Sequence, residues 1–369
     1  MGGLFIARLG MIRSHVLSML LLMFGIHFML HRRWRALFVL GFVFSWSYTV
    51  PFVLLITVGA FAVGQWLGKG GLDFRSVAAA GFGSILGLAV HPYSPMTLET
   101  FLTYVQIFRI GIQGVDKSGF ELGNEIYPYP LAVFFDIYPL IVILIPLLVL
   151  FVLLRRKHLA PGTFGVVLSA LCWFAMTTAS SRFVEYAVLL LAIAVALAVR
   201  DTLSAQDVVP RLPALSKRLR WFIAAAAIGM LLAFHVYSMK FYIIYQTTTA
   251  PPRFFQGASL WMEHHLAPDE TVINLFWDDF PDLFYAAPRQ WYIWGLDPTY
   301  TIRYDRNKAV LLENFRRHLT RLDGRMLADM LQAHWLILRA SRVDRYPELR
   351  SAPFREVYRD NAAVLFKIE

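Results

Sequence analysis

Apolar runs of roughly bilayer-spanning length recur along the first two-thirds of the chain, and no other feature restricts its fold as strongly. They occupy residues 16–30, 36–67, 77–90, 131–154, 163–178, 183–199 and 221–239, where a spanning helix takes roughly 17–25 residues. The composition agrees: 57% of residues are apolar, 16% are charged and the mean hydropathy is +0.53, outside the usual range of water-soluble domains. Beyond residue 239 the pattern changes to one rich in Asp, Arg, Pro and Trp with no run of spanning length. Residues 1–240 are expected to form an α-helical polytopic membrane region of about seven or eight segments. Residues 241–369 are expected to form a small extracytoplasmic α/β domain, with strands at 271–277, 335–339 and 363–368.

The formal charge of +10 does not point to nucleic acid. The basic residues stand in short clusters beside apolar runs: Arg32, Arg33 and Arg35; Lys69 and Arg75; Arg155, Arg156 and Lys157; Lys217, Arg218 and Arg220. Such clusters orient membrane segments, with the positive side cytoplasmic. All four fall on one side only if residues 36–67 make two helices, because one helix of 32 residues would be about 48 Å long and is interrupted by Pro51. A turn at 48–51 then places the loop 91–130 and the C-terminal domain outside the cytoplasm. The N-terminus also falls outside, with Arg8 and Arg13 on the unfavoured side. An outward apolar start with no cleavage site before the 31–35 cluster reads as the continuation of a longer protein, as a true outward start, or as a sign that one segment is inserted differently from this topology.

Motif signatures for nucleotides, zinc or soluble hydrolases are absent, and the single cysteine, Cys172, has no partner. Three constellations can carry chemistry. In the outward loop, Glu125 lies among turn formers, and apolar residues at helical spacing (Leu98, Phe101, Leu102, Val105, Phe108) predict an amphipathic helix over 96–112. This loop is either the floor of a lipid-facing cavity or an ordinary re-entrant loop with aromatic anchors. Arg182 and Glu185 open an apolar run three residues apart, the spacing that shares a helical face. They read as a phosphate-binding site or as a structural ion pair. In the tail, Asp278, Asp279 and Asp282 follow the strand at 271–277, with Trp291, Trp294 and Asp297 beyond them. The three carboxylates suit a divalent cation and the aromatic rings suit a sugar, while turn-capping aspartates and an interfacial aromatic belt are the commoner account of such residues.

The order of a His-Pro-Tyr outward loop (91–93), Gly-Asn-Glu-x-Tyr-Pro (123–128), Ser-Arg-Phe-x-Glu-Tyr (181–186), Trp-Asp-Asp-Phe-Pro (277–281) and Gly-Leu-Asp-Pro-Thr (295–299) resembles bacterial GT-C-type membrane glycosyltransferases and their uncharacterised relatives. The resemblance covers nearly the whole chain but only the later part of such a protein. It implies a multi-pass protein of the bacterial inner membrane that transfers a sugar from a polyprenyl-phosphate carrier at the outer face, with the bilayer and that lipid-linked sugar as its partners. Family members usually carry a catalytic acid in the first outward loop, and no acid precedes Asp73 here, so the chain's own activity is an open expectation. A non-catalytic membrane assembly or scaffold protein fits the same departure. A transporter fits less well, since the spans lack charged residues and matched Gly/Pro breaks in two halves.

Overall fold

The computed structural model of the protein describes residues 14–48, 50–123, 126–130, 139–155, 157–204, 254–295 and 298–369, with 229 and 236. The expected span at 221–239, the N-terminal residues 1–13, and the candidates Glu125 and Asp297 lie outside the described residues, apart from those two positions. The chain is mostly helical, with a small mixed sheet near its C-terminus. It divides into two compact units. One takes residues up to Ile112 and resumes at 124–248; the other takes Gln113–Gly123 and 249–369.

The first unit contains α1 (Ser14–Leu30), α2 (Trp34–Ser47), α3 (Phe52–Leu67), α4 (Phe74–Ala89), most of α5 (Met96–Ser118), α6 (Pro139–Arg155), α7 (Pro161–Thr177) and α8 (Val184–Ser204). The break between α2 and α3 falls where Pro51, at φ −63°, caps the second helix without an N–H of its own. Asp73 starts α4 by accepting the Ser76 N–H at 3.2 Å. Among the described residues, one helical stretch, Ser181–Thr202, is long and apolar enough to cross a membrane by length and composition; the others, including His15–Leu30, Trp34–Ser47 and Phe74–Ala89, are shorter apolar helices.

Helices of this unit meet on small residues. A Cβ at Gly41 would strike the Ala80 carbonyl oxygen, and one at Gly83 would strike that of Phe38, so α2 and α4 approach backbone to backbone. Ser45 Oγ donates to Ser84 O at 3.1 Å and Trp46 Nε1 to Gly87 O at 3.0 Å across the same seam. The α3–α7 seam repeats the device: a Cβ at Gly64 would strike Phe164 O, and Trp173 Nε1 donates to Thr57 Oγ1 at 2.8 Å. Large apolar side chains such as Leu20, Val39, Trp66, Phe82, Ile143 and Leu153 point outward and are exposed, while Ser45, Thr57, Ser76, Ser84 and Ser169 are buried.

The helix ends sort into two groups. Arg32 Nη2, just after α1, donates to Gly70 O after α3 at 2.8 Å, and Asp201 near the end of α8 accepts from Ala160 N and Thr163 Oγ1 at the start of α7. At the opposite end the start of α1, the end of α2 and the start of α8 meet through Ser18, Tyr48 and Tyr186. α1, α2 and α3 therefore alternate in direction, and so do α7 and α8. The stripe expected on 96–112 divides: Leu98, Leu102 and Val105 are exposed, whereas Phe101 packs against Phe52 and Phe108 against Phe183.

The second unit carries α9 (Gln256–His265), β1 (Thr271–Asn274), α10 (Phe280–Ala286), β2 (Trp291–Tyr292), α11 (Pro298–Tyr304), α12 (Arg306–Arg316), α13 (Gly324–Leu331), β3 (Trp335–Arg339), α14 (Ala340–Val343), β4 (Phe354–Arg359) and β5 (Ala363–Ile368). Sheet order is β2-β1-β3-β5-β4. β1 is parallel to β2 and β3, with Val272 opposite Trp335, and β5 is antiparallel to β3, with Leu365 opposite Ile337. Phe255, Met262, Val272, Ile337 and Leu365 form a core on one face. β1 is shorter than its sequence pattern, because residues 277–279 leave it as a 3-10 turn. Strands β2 and β4 add to the three that periodicity suggests.

Gln113–Gly123 belongs to this second unit although the sequence places it deep in the membrane region. Phe120 and Leu122 are buried, and the Glu121 N–H donates to Glu313 Oε1 at 2.9 Å. Arg316 Nη2 bridges Glu121 and Glu313 at 2.8 and 2.7 Å. Gln113–Gly123 and the tail thus form one compact unit, discontinuous in sequence.

Candidate functional site

Among the described residues, one cluster of ionisable groups in each unit contains residues that the sequence singles out. In the helical unit the site is built by a turn. Ser180, in extended backbone at φ −157°, caps the 3-10 turn Ser181–Phe183 by accepting the Arg182 N–H at 3.4 Å, and α8 follows. This turn leaves Arg182 half-buried and puts Glu185 in the first turn of α8 at 2% exposure, where the helix dipole favours a carboxylate. The spacing of the two residues suggests one helical face; the structure instead places them across a junction of turn and helix.

The Glu185 carboxylate lies 3.5 Å from His15 Nε2 at the start of α1. Beside it the Tyr186 hydroxyl sits 2.8 Å from Ser18 Oγ and donates to Tyr48 Oη at 3.3 Å. The ring of Trp173 closes the cluster, 5.1 Å from Tyr186 and 5.4 Å from Phe183. Arg182, Tyr104 and Glu185 all lie within electrostatic reach of the Tyr48 hydroxyl. One end of the unit therefore holds an acid, an imidazole, a guanidinium and a chain of hydroxyls among aromatic walls. Such a set can orient an anionic group and move a proton. Sequence reasoning found Arg182 and Glu185 but missed His15, Ser18 and Tyr48, whose one available signal was a polar residue at the edge of an apolar run.

In the second unit, Asp278 and Asp279 follow β1, and Arg339 and Arg342 end β3 and sit on α14. These are the carboxyl ends of adjacent parallel strands, where the chain's crossover reverses from the β2 side to the β3 side. Arg342 donates to Asp279 Oδ2 at 3.0 Å and to Asp278 Oδ2 at 2.8 Å. Arg339 Nε approaches Asp279 Oδ1 to 2.5 Å as an ion pair. Each guanidinium also stacks on a ring, Arg339 4.2 Å above Phe254 and Arg342 3.9 Å above Phe276. Asp279 is buried against Arg339 and Arg342, which the end of β3 brings within reach, while Asp278 is bridged by Arg342 and stays 45% exposed. Among the described residues no group of three His, Cys, Asp or Glu side chains converges as a metal set. Trp294, expected as a sugar platform, is fully buried, with its backbone held by the Asn274 amide through two bonds of 2.9 Å; in this position the ring is core.

Burial pushes the Asp279 carboxyl up to about 6, and the charges of Arg342 and Arg339 pull it back only in part. The folded state then holds this proton more tightly than the unfolded chain does. Its stabilising contribution is fully present below about pH 3.8 and is lost as pH rises through about 6, on the order of 2–3 kcal/mol in all. Hydrogen exchange of the β1 and β3 amides in the full chain should accelerate between about pH 4 and 6.5 beyond its intrinsic rise. Asp279→Asn should flatten that excess, and an unchanged pH profile would show that another group is responsible.

Comparison of the chain with protein-family models, with characterised proteins and with solved structures yields no match.

Proposed function

We propose that the protein is a multi-span membrane protein that binds a polyprenyl-phosphate-linked sugar at the Arg182 end of its helical unit, as GT-C-type glycosyltransferases do at the outer face of the bacterial inner membrane. The observation that carries this reading is Glu185, buried beside His15 at one end of a helical unit whose outward faces are apolar. An ionisable pair among apolar helices marks a substrate or ion site by default. Small residues at the helix seams with large apolar side chains outside is the arrangement that lipid favours and water does not. Helices of 14–16 residues fall short of the usual span, but short spans are accommodated by local thinning and by flanking amphipathic side chains. Trp34, Arg35, Trp46, Trp66 and Arg75 stand at the helix ends for that role.

Two observations support an outward C-terminal unit. Gln113–Gly123, in the stretch expected to be outward, folds with the tail. The basic clusters at 32–35 and 69–75 join the opposite helix ends, which the positive-inside rule makes cytoplasmic. A second reading, a non-catalytic assembly protein, is favoured by Asp279, which is buried against Arg339 and Arg342 rather than open to a substrate.

Phosphate binding separates the two. Polyprenyl-phosphate affinity and thermal stability should be measured together for Arg182→Lys, Arg182→Ala and Glu185→Gln. Lysine lacks the bidentate fork, so Arg182→Lys should weaken binding by about tenfold with melting unchanged. Unchanged binding in all three variants would remove the carrier role and leave the assembly reading.

A further inference from the structure

A groove of about 970 Å³ runs along α2 and α4 on the outside of the helical unit. Its origin lies in the seam described above. The glycines that bring the two helices together leave Ala78 and Ala79 as a shallow floor, with Phe38, Phe74, Phe82 and Ile85 as walls. The groove follows α4 from Phe74 to Ala89, about 22 Å of helix. One leaflet's hydrocarbon is about 15 Å deep, so a whole acyl chain fits.

Arg75 is the one charged residue in the lining, and it stands at the same end as Trp34. The guanidinium of Arg35 lies 5.2 Å above the Trp34 ring, which adds a second positive charge at the groove's mouth. Arg32, at the same helix end, is engaged with Gly70 O at 2.8 Å, and neither it nor Arg33 or Lys69 lines the groove. The nearby acid, Asp73, is spent locally, accepting the Ser76 N–H at 3.2 Å and the Ser76 hydroxyl at 2.7 Å. A purely apolar slot with two arginines at one mouth is complementary to a lipid with a negative headgroup, and a neutral headgroup gains nothing from those charges.

We propose that this groove seats an acyl chain of an anionic phospholipid of the cytoplasmic leaflet, with the headgroup phosphate held by Arg75 and Arg35. The proposal rests on the membrane reading and assigns a lipid site distinct from the Arg182 end. It is tested on the full chain in neutral detergent, incubated with equal amounts of phosphatidylglycerol and phosphatidylcholine of identical chains, with bound lipid counted by native mass spectrometry. Each arginine near a headgroup contributes about fivefold, so the protein should retain phosphatidylglycerol about 25-fold over phosphatidylcholine. Arg75→Gln should reduce that preference to about fivefold and Arg35→Gln/Arg75→Gln to about one. Ala78→Leu, which fills the floor, should lower retention of both lipids while leaving their ratio unchanged. Equal retention of the two lipids by the unmodified protein, or a preference that survives the double arginine substitution, overturns the proposal. A chain that stays monomeric in buffer without detergent overturns the membrane reading itself, whereas a detergent-requiring chain with no lipid preference overturns this inference alone.

Discussion

Gly83→Ala should destroy the folded helical unit, while Gly81→Ala two residues away on the same helix should leave it intact. A Cβ at Gly83 collides with the Phe38 carbonyl oxygen and comes within 2.9 Å of its carbon and 3.1 Å of its Cα. All three are backbone, so no side chain can rotate aside; α2 must move off α4. That movement breaks the bonds from Ser45 to Ser84 O and from Trp46 to Gly87 O and opens the Gly41–Ala80 approach on the same seam. Loss of about 3 kcal/mol or more is expected. At Gly81 an added Cβ meets nothing within 4 Å, and alanine is the better helix former by about 1 kcal/mol. Thermal retention of the detergent-solubilised protein reads both. A Gly83→Ala protein that melts like the original would mean that α2 and α4 do not approach as described.

Arg316→Ala should unfold or severely weaken the second unit. Glu313 is 2% exposed and its carboxylate takes both Arg316 Nε at 2.8 Å and Nη2 at 2.7 Å. Removing the guanidinium leaves a buried charge with only the Glu121 N–H to hold it, a situation that costs about 3–5 kcal/mol. The same change frees Glu121, so Gln113–Gly123 should become open to limited proteolysis. Glu121→Gln should do little by comparison, under about 1 kcal/mol, since that side chain is half exposed at 51%. If the two variants lose equal stability, the Arg316 bridge matters through its exposed arm and the argument from burial fails.

These two sites illustrate how unevenly the structure could be foreseen. Features set by neighbours in sequence were legible: the break at 48–51, where Pro51 removes a donor, and the edges of β3 and β5, where β-branched and aromatic residues run together. Long-range choices were not. Glu185 meets His15 across most of the helical unit, and no periodicity within either helix signals that meeting. Gln113–Gly123 reads as loop because its partners, Glu313 and Arg316, lie in another part of the chain. The aspartates after β1 were visible as a cluster, but the end of β3 decides whether they face solvent, and arginines three residues apart on a strand end and a short helix carry no pairing instruction. Trp294 shows the same limit: an aromatic in a polar stretch reads as a surface platform until Asn274 is seen to hold its backbone inside.

Sidedness decides the central claim, and cysteine labelling measures it in whole cells with a permeabilised outer membrane. In a Cys172→Ser background, Tyr285→Cys places a thiol at a position 90% exposed in the second unit, and Ser204→Cys places one at the exposed end of α8. An impermeant maleimide should label Tyr285→Cys in intact cells and label Ser204→Cys only after the inner membrane is disrupted. Labelling of Ser204→Cys with Tyr285→Cys silent would invert the protein in its membrane and contradict a lipid-linked sugar site on the outer face.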